Sequence, residues 1–80
     1  MITSDKQVDT SGTRCPIPLL RAKQTLKTMQ SGEVLHVIST DPSSIGDFEA
    51  MLRHLPHTLL KTEVAEEEPQ TKFHVVIQKG

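Results

Sequence analysis

The chain of 80 residues contains one cysteine, no tryptophan and no tyrosine. A lone thiol excludes an internal disulfide framework, which a secreted domain of this length normally requires. Phe48 and Phe73 are the only phenyl rings, too few and too scattered to form a stacking platform for nucleic-acid bases. The net charge of -1 excludes a global basic field. No segment approaches the roughly 20 apolar residues of a membrane-spanning helix, and Met1 to Gln7 lacks the apolar stretch of a signal peptide. These absences lead to the expectation of one cytoplasmic domain over residues 1–80, without membrane insertion, whose thiol stays reduced.

What is present is a globular composition, with 35% hydrophobic and 24% charged residues. A domain this short has a thin core but can fold alone. Its charge is unevenly spread. Arg14, Arg21, Lys23 and Lys27 occur without an acidic residue between Arg14 and Gln30, whereas Glu66, Glu67 and Glu68 form an acidic run. Such blocks are either docking surfaces or solvated faces, and charge alone does not choose between them.

Periodicity places the elements. Gln7 to Thr10 reads as a short edge strand ahead of the Ser11-Gly12 turn signal. From the Cys15-Pro16-Ile17-Pro18 segment onward, Leu19, Ala22, Leu26 and Met29 recur on one helical face, and Ser31-Gly32 supplies a stop. Val34 to Ser39 is an apolar, β-branched run of strand length. Asp41-Pro42 reads as an N-cap with proline at the first helical position. Ile45, Phe48, Leu52 and Leu55 continue a second helix up to Pro56. Leu59 to Val64 and Lys72 to Gln78 read as two strands joined by the acidic, proline-containing segment Ala65 to Thr71. The expected fold is α+β: a two-layer sandwich in the order β-α-β-α-β-β, with two helices on one face of a four-stranded mixed sheet.

The chemistry concentrates at Cys15. If Pro16 opens the helix, Cys15 is its N-cap, and both prolines replace amides that a helix start leaves unpaired in any case. The Ile17 amide is then the expected donor to the Cys15 sulfur. The positive end of the helix and the adjacent Arg14 are expected to favour the thiolate, the reactive form of cysteine. The alternative is an inert, buried cysteine acting as a small hydrophobe. The four histidines give no zinc site, because His54 and His57 are separated by Pro56 and lack a further ligand at suitable spacing.

Asp9, Gly12, Cys15, Pro16 and Pro18, at this spacing, resemble the motif of the TusA/SirA-like sulfur carrier family. The similarity continues through Met29-Gln30-Ser31-Gly32-Glu33, Asp41-Pro42 and Asp47 to the Lys79-Gly80 tail, and so spans the chain. Thr40 stands where many members carry an acidic residue, and the second cysteine of some members is missing. The resemblance implies the same β-α-β-α-β-β sandwich. It further implies that Cys15 carries sulfane sulfur as a covalent persulfide, with no other cofactor and no metal. A cysteine desulfurase or rhodanese-type protein would be the donor. A downstream protein would be the acceptor, in tRNA thiolation, molybdenum cofactor formation or sulfur oxidation, with tRNA involved only indirectly. Under this reading the protein is a sulfurtransferase, without independent turnover and monomeric. Arg14, Pro16, Ile17 and Pro18 position or activate the thiol. Arg21 and Lys23 steer partners or are simply solvated. Gly12 and Asp9 order the turn, and Asp47 caps a helix or pairs near the site. The remaining readings are an accessory domain for thiosulfate uptake and a non-catalytic binding or regulatory module.

Overall fold

A computed structural model describes residues 4–80, so the part of the amino-terminal reading that rests on the first three residues lies outside the described region. The chain forms six elements: β1 (Lys6–Asp9), α1 (Ile17–Lys27), β2 (Val34–Ser39), α2 (Ser44–Leu52), β3 (Thr58–Ala65) and β4 (Lys72–Gln78). The two most apolar strands take the middle of the sheet, in the order β1-β2-β4-β3. β1 pairs with β2 in parallel, while β4 runs antiparallel to both β2 and β3. The sheet is therefore mixed, and the two-layer α+β sandwich expected from the sequence is the observed architecture.

Both helices cover one face. α1 lies over β1 and β2, and α2 over β3 and β4. The core between the layers is built by Val8, Leu35, Val37, Val75 and Ile77 from the strands, against Ala22, Leu26, Phe48 and Leu52 from the helices. Phe48 is fully buried at its centre. Each apolar stripe thus finds one sheet face, which is why neither helix is hydrophobic all round.

Element ends depart from the periodicity by one to three residues, for local reasons. Met29 belongs to the apolar stripe but follows α1. Its amide bonds to the Leu26 carbonyl at 3.1 Å, a tightened exit that keeps the side chain buried. Gly32 then takes a φ of +91°, which a side chain rarely adopts. α2 begins at Ser44 rather than at Pro42. The Asp41 carbonyl and carboxylate accept from the Ser44 and Ser43 amides and close a turn ahead of the helix. α2 also ends before Leu55, because the His54 amide turns to the Met51 carbonyl at 3.2 Å. Leu55 still packs against the core from beyond the helix.

The sheet face opposite the helices carries His36 and His74 on the central strands. Their rings stack with centroids 5.0 Å apart, and His36 Nε2 lies 2.8 Å from His74 Nδ1. Glu67 from the β3–β4 loop approaches the other side of His74, at 3.8 Å. Burial pushes the His36 pKa below its ordinary value. The neighbouring His74 adds to the shift, and Glu63 opposes it.

Two outcomes are expected. Phe48→Ala removes the central side chain and should lower the unfolding free energy by about 3–5 kcal/mol, read from urea denaturation. A histidine harder to protonate in the folded than in the unfolded chain withdraws stability as pH falls through its unfolded value, near 6.5. The Tm should therefore drop between about pH 7.5 and 5.5. His36→Gln should flatten that drop in calorimetry, with His57, whose pKa is likewise lowered by burial, supplying part of what remains.

Candidate functional site

Because β1 and β2 are parallel, the loops that leave their carboxyl ends emerge along the same edge of the sheet. The first loop carries Cys15, and the second carries Asp41 and Ser43. β2 anchors both. The Thr10 amide and hydroxyl both donate to the Ile38 carbonyl, at 2.8 and 2.6 Å, and the Asp41 amide donates to the Ser39 hydroxyl at 3.1 Å. Asp9 accepts from the Ser11 amide at 2.9 Å and shapes the turn into Gly12. Gly12 has a φ of +84°, a conformation that glycine adopts without strain. Its amide donates to the Thr40 hydroxyl at 2.9 Å, which ties the two loops together a first time. Thr40 thus holds the loop that leads to the cysteine.

The second tie is at the cysteine itself. The Cys15 amide donates to Asp41 Oδ2 at 2.7 Å. The other oxygen of that carboxylate accepts from the Ser43 amide and the Ser43 hydroxyl, both at 2.9 Å. The Cys15–Pro16 peptide bond is cis, and the Ile17 amide donates to the Arg14 carbonyl at 2.9 Å, closing a turn around the cysteine. The Cys15 side chain is free and exposed at the tip of this turn. Two expectations are corrected here. Pro16, not Cys15, is the N-cap of α1, with Pro18 inside the first turn. The Ile17 amide is committed to the Arg14 carbonyl and is not the donor to the sulfur.

The charge around the thiol is also the reverse of the expectation. The thiol pKa is pushed up, first by the side-chain influence of Asp47, then by desolvation and by the negative charges of Asp47 and Asp41. Arg14 acts elsewhere. Its guanidinium is among the groups that hold the Asp41 carboxyl below the usual range, after the hydrogen bonds from Ser43 and Cys15. Asp47 and Asp41 together disfavour the thiolate at this site.

The family model for the sulfurtransferase TusA matches residues 6–79. The chain belongs to the TusA family. It is 46% identical, over the full length of both chains, to the sulfur carrier protein TusA of Allochromatium vinosum. It is 41% identical to a putative sulfur carrier protein of Neisseria meningitidis serogroup A, with 94% of this chain and 96% of that protein covered. The crystal structure of a SirA-like protein from Desulfitobacterium hafniense superposes with a TM-score of 0.71 at 26% identity, covering 94% of this chain and 97% of the other.

The other residues singled out in this family member separate into two groups. Arg21 is turned back, its Nη1 donating to the Asp9 carbonyl at 3.1 Å, so it braces β1 against α1. Lys23 is exposed on the same helix. Ile17 and Leu20, beside the cysteine, are large hydrophobic side chains left 41% and 48% exposed, which gives the surface around the thiol an apolar as well as a basic character. Asp47 lies in the first turn of α2 and accepts from the Ser43 hydroxyl at 3.0 Å. Asp41 was read from sequence as a helix cap, and its contact with Cys15 was not foreseen. The available signal was the Asp-x-Ser spacing at Asp41 and Ser43, which favours a side-chain turn over a helix start. Among the described residues no group of three or more His, Cys, Asp or Glu side chains is arranged to hold a metal ion.

Asp41→Ala should release the cysteine turn without unfolding the sheet. Amide exchange measured by NMR should accelerate at Cys15 and Ser43, while β2 and β4 amides keep their protection. In the wild type the tie depends on an ionised carboxyl whose pKa is lowered on folding. Protection at Cys15 should therefore survive below the unfolded value of about 3.9 and vanish as pH falls through the lowered value.

Proposed function

We propose that Cys15 accepts a sulfane sulfur as a persulfide and relays it from a cysteine desulfurase or rhodanese-type donor to an acceptor protein, in tRNA thiolation or dissimilatory sulfur oxidation. The observation that carries this reading is a free, exposed thiol on a turn whose own backbone is fixed by Asp41. A carrier needs its sulfur accessible to two partners in succession, and a fixed backbone presents the same geometry to each. Membership of the TusA family supports the reading, as do the relatives that are named sulfur carriers.

The chemistry is nucleophilic displacement. In loading, the Cys15 sulfur attacks the terminal sulfur of a donor persulfide. A sulfur–sulfur bond forms to Cys15, and the donor's sulfur–sulfur bond breaks with its electron pair going to the donor thiol. In unloading, an acceptor thiolate attacks the outer sulfur, and Cys15 leaves with the electron pair. No net oxidation occurs in either step. Partners would dock against Ile17, Leu20 and Lys23 around the thiol, where apolar contact and positive charge stand together.

Incubation with a cysteine desulfurase and cysteine, or with a rhodanese and thiosulfate, should add the mass of one or more sulfur atoms to the wild type. Intact-protein mass spectrometry reads this directly. Cys15→Ser should show no gain while keeping the circular dichroism of the wild type. A wild type that gains no mass from either donor overturns the proposal.

A further inference from the structure

We propose that the outer edge of β3 pairs antiparallel with β3 of a second copy of this chain, about a two-fold axis at Thr62. β3 (Thr58–Ala65) lies at one end of the sheet order β1-β2-β4-β3, so among the described residues it pairs with β4 alone. It is also the longest strand of the sheet, at 8 residues. An open edge strand presents a row of unpaired backbone donors and acceptors, and folded proteins normally keep such edges short or covered. This edge carries Leu60 and Val64, 49% and 55% exposed, the two most exposed large hydrophobic side chains among the described residues. The register with β4 steps from Leu59 to Lys61, which leaves Leu60 without a partner on β4.

The charge pattern selects the occupant. Lys61 Nζ and Glu63 Oε1 lie 3.7 Å apart, and Thr62 separates the two residues in sequence. Opposite charges directly across an antiparallel pair attract, and like charges repel. Pairing about Thr62 places Lys61 opposite Glu63 of the second copy, and Glu63 opposite its Lys61. The same register sets Leu60 opposite Val64 on either side of these charges, so the exposed apolar side chains cover each other. Other arrangements are penalised. Parallel pairing in register puts lysine against lysine and glutamate against glutamate, and an antiparallel axis at Lys61 or Glu63 puts that residue opposite itself. The segment Leu60-Lys61-Thr62-Glu63-Val64 is thus complementary to itself in one register, as a two-fold interface requires. The cysteine turn follows β1, at the other end of the sheet, so the pairing leaves both exposed thiols uncovered. Such a dimer, with two cysteine turns, takes the place of the monomer that the family resemblance implies.

A strand of 8 residues on each side is smaller than the roughly 20–30 residues a side of a standard stable interface. The dimer is therefore weak, and its test runs over concentration. Sedimentation equilibrium from about 20 μM to about 1 mM should show the wild type moving from monomer toward twice that mass. Lys61→Glu and Glu63→Lys each place like charges across the axis, and each alone should weaken association by about tenfold or more. A mixture of these two variants sets glutamate against lysine at both positions and should recover the association of the wild type. The double variant Lys61→Glu/Glu63→Lys keeps the complementarity and should recover it too. Both side chains are about half exposed, at 54% and 47%, so the substitutions leave the core untouched. The double variant repeats the test should a single variant lose its fold. A wild type that stays monomeric at the highest concentration overturns the proposal. So do single variants that associate as strongly as the wild type. So does a mixture, or a double variant, that stays as weak as the single variants.

Discussion

The contact on which the functional edge depends is the hydrogen bond from the Cys15 backbone to the Asp41 carboxylate, 2.7 Å long and spanning 26 positions of sequence. It joins the loop after β1 to the loop after β2. Asp41 also shapes the entry to α2 through Ser43 and Ser44. One side chain therefore sets where the thiol stands relative to the second helix. The contact exists because β1 and β2 run parallel, with Asp9 opposite Ile38 at their carboxyl ends. Hydrogen bonds to an ionised partner are stronger than those between neutral groups, and Asp41 makes three of them from backbone or hydroxyl donors.

The electrostatic design that results is acidic around a helix that is itself basic. α1 presents Lys23 and Lys27 without an acidic residue in its first turn. Its start is overlooked by Asp41 and Asp47 from the neighbouring loop and helix. The neighbouring carboxylates push the thiol pKa up and so disfavour the reactive thiolate, while Ile17 and Leu20 leave an apolar surface exposed on the same helix.

Much of the fold was legible because the apolar residues follow the periods of their elements. Ala22, Leu26, Phe48 and Leu52 lie in the core as the helical spacing requires, and the strand Lys72–Gln78 has the boundaries its alternation implied. Helix starts were less legible. Proline and aspartate at Pro16, Asp41 and Pro42 serve turns as well as they serve caps, and local preference does not distinguish the two. Of the site, Cys15 itself was evident from its prolines and its neighbours, and so was the turn at Gly12. The charge state of the thiol was not, since the sequence neighbour Arg14 pointed one way and the spatial neighbours Asp41 and Asp47 the other.

The amino-acid sequence by itself determined the alternation of elements, the one-sided helices, the basic character of α1 and the placement of a single thiol in a proline-stiffened turn. These follow from local periodicity and backbone restriction, which act within a few residues. Only the tertiary structure decided which charged groups gather around the cysteine turn, with Asp41 bound to the Cys15 amide. Coulomb interaction and hydrogen bonding depend on distance in space, and that distance was set by strand pairing rather than by chain order.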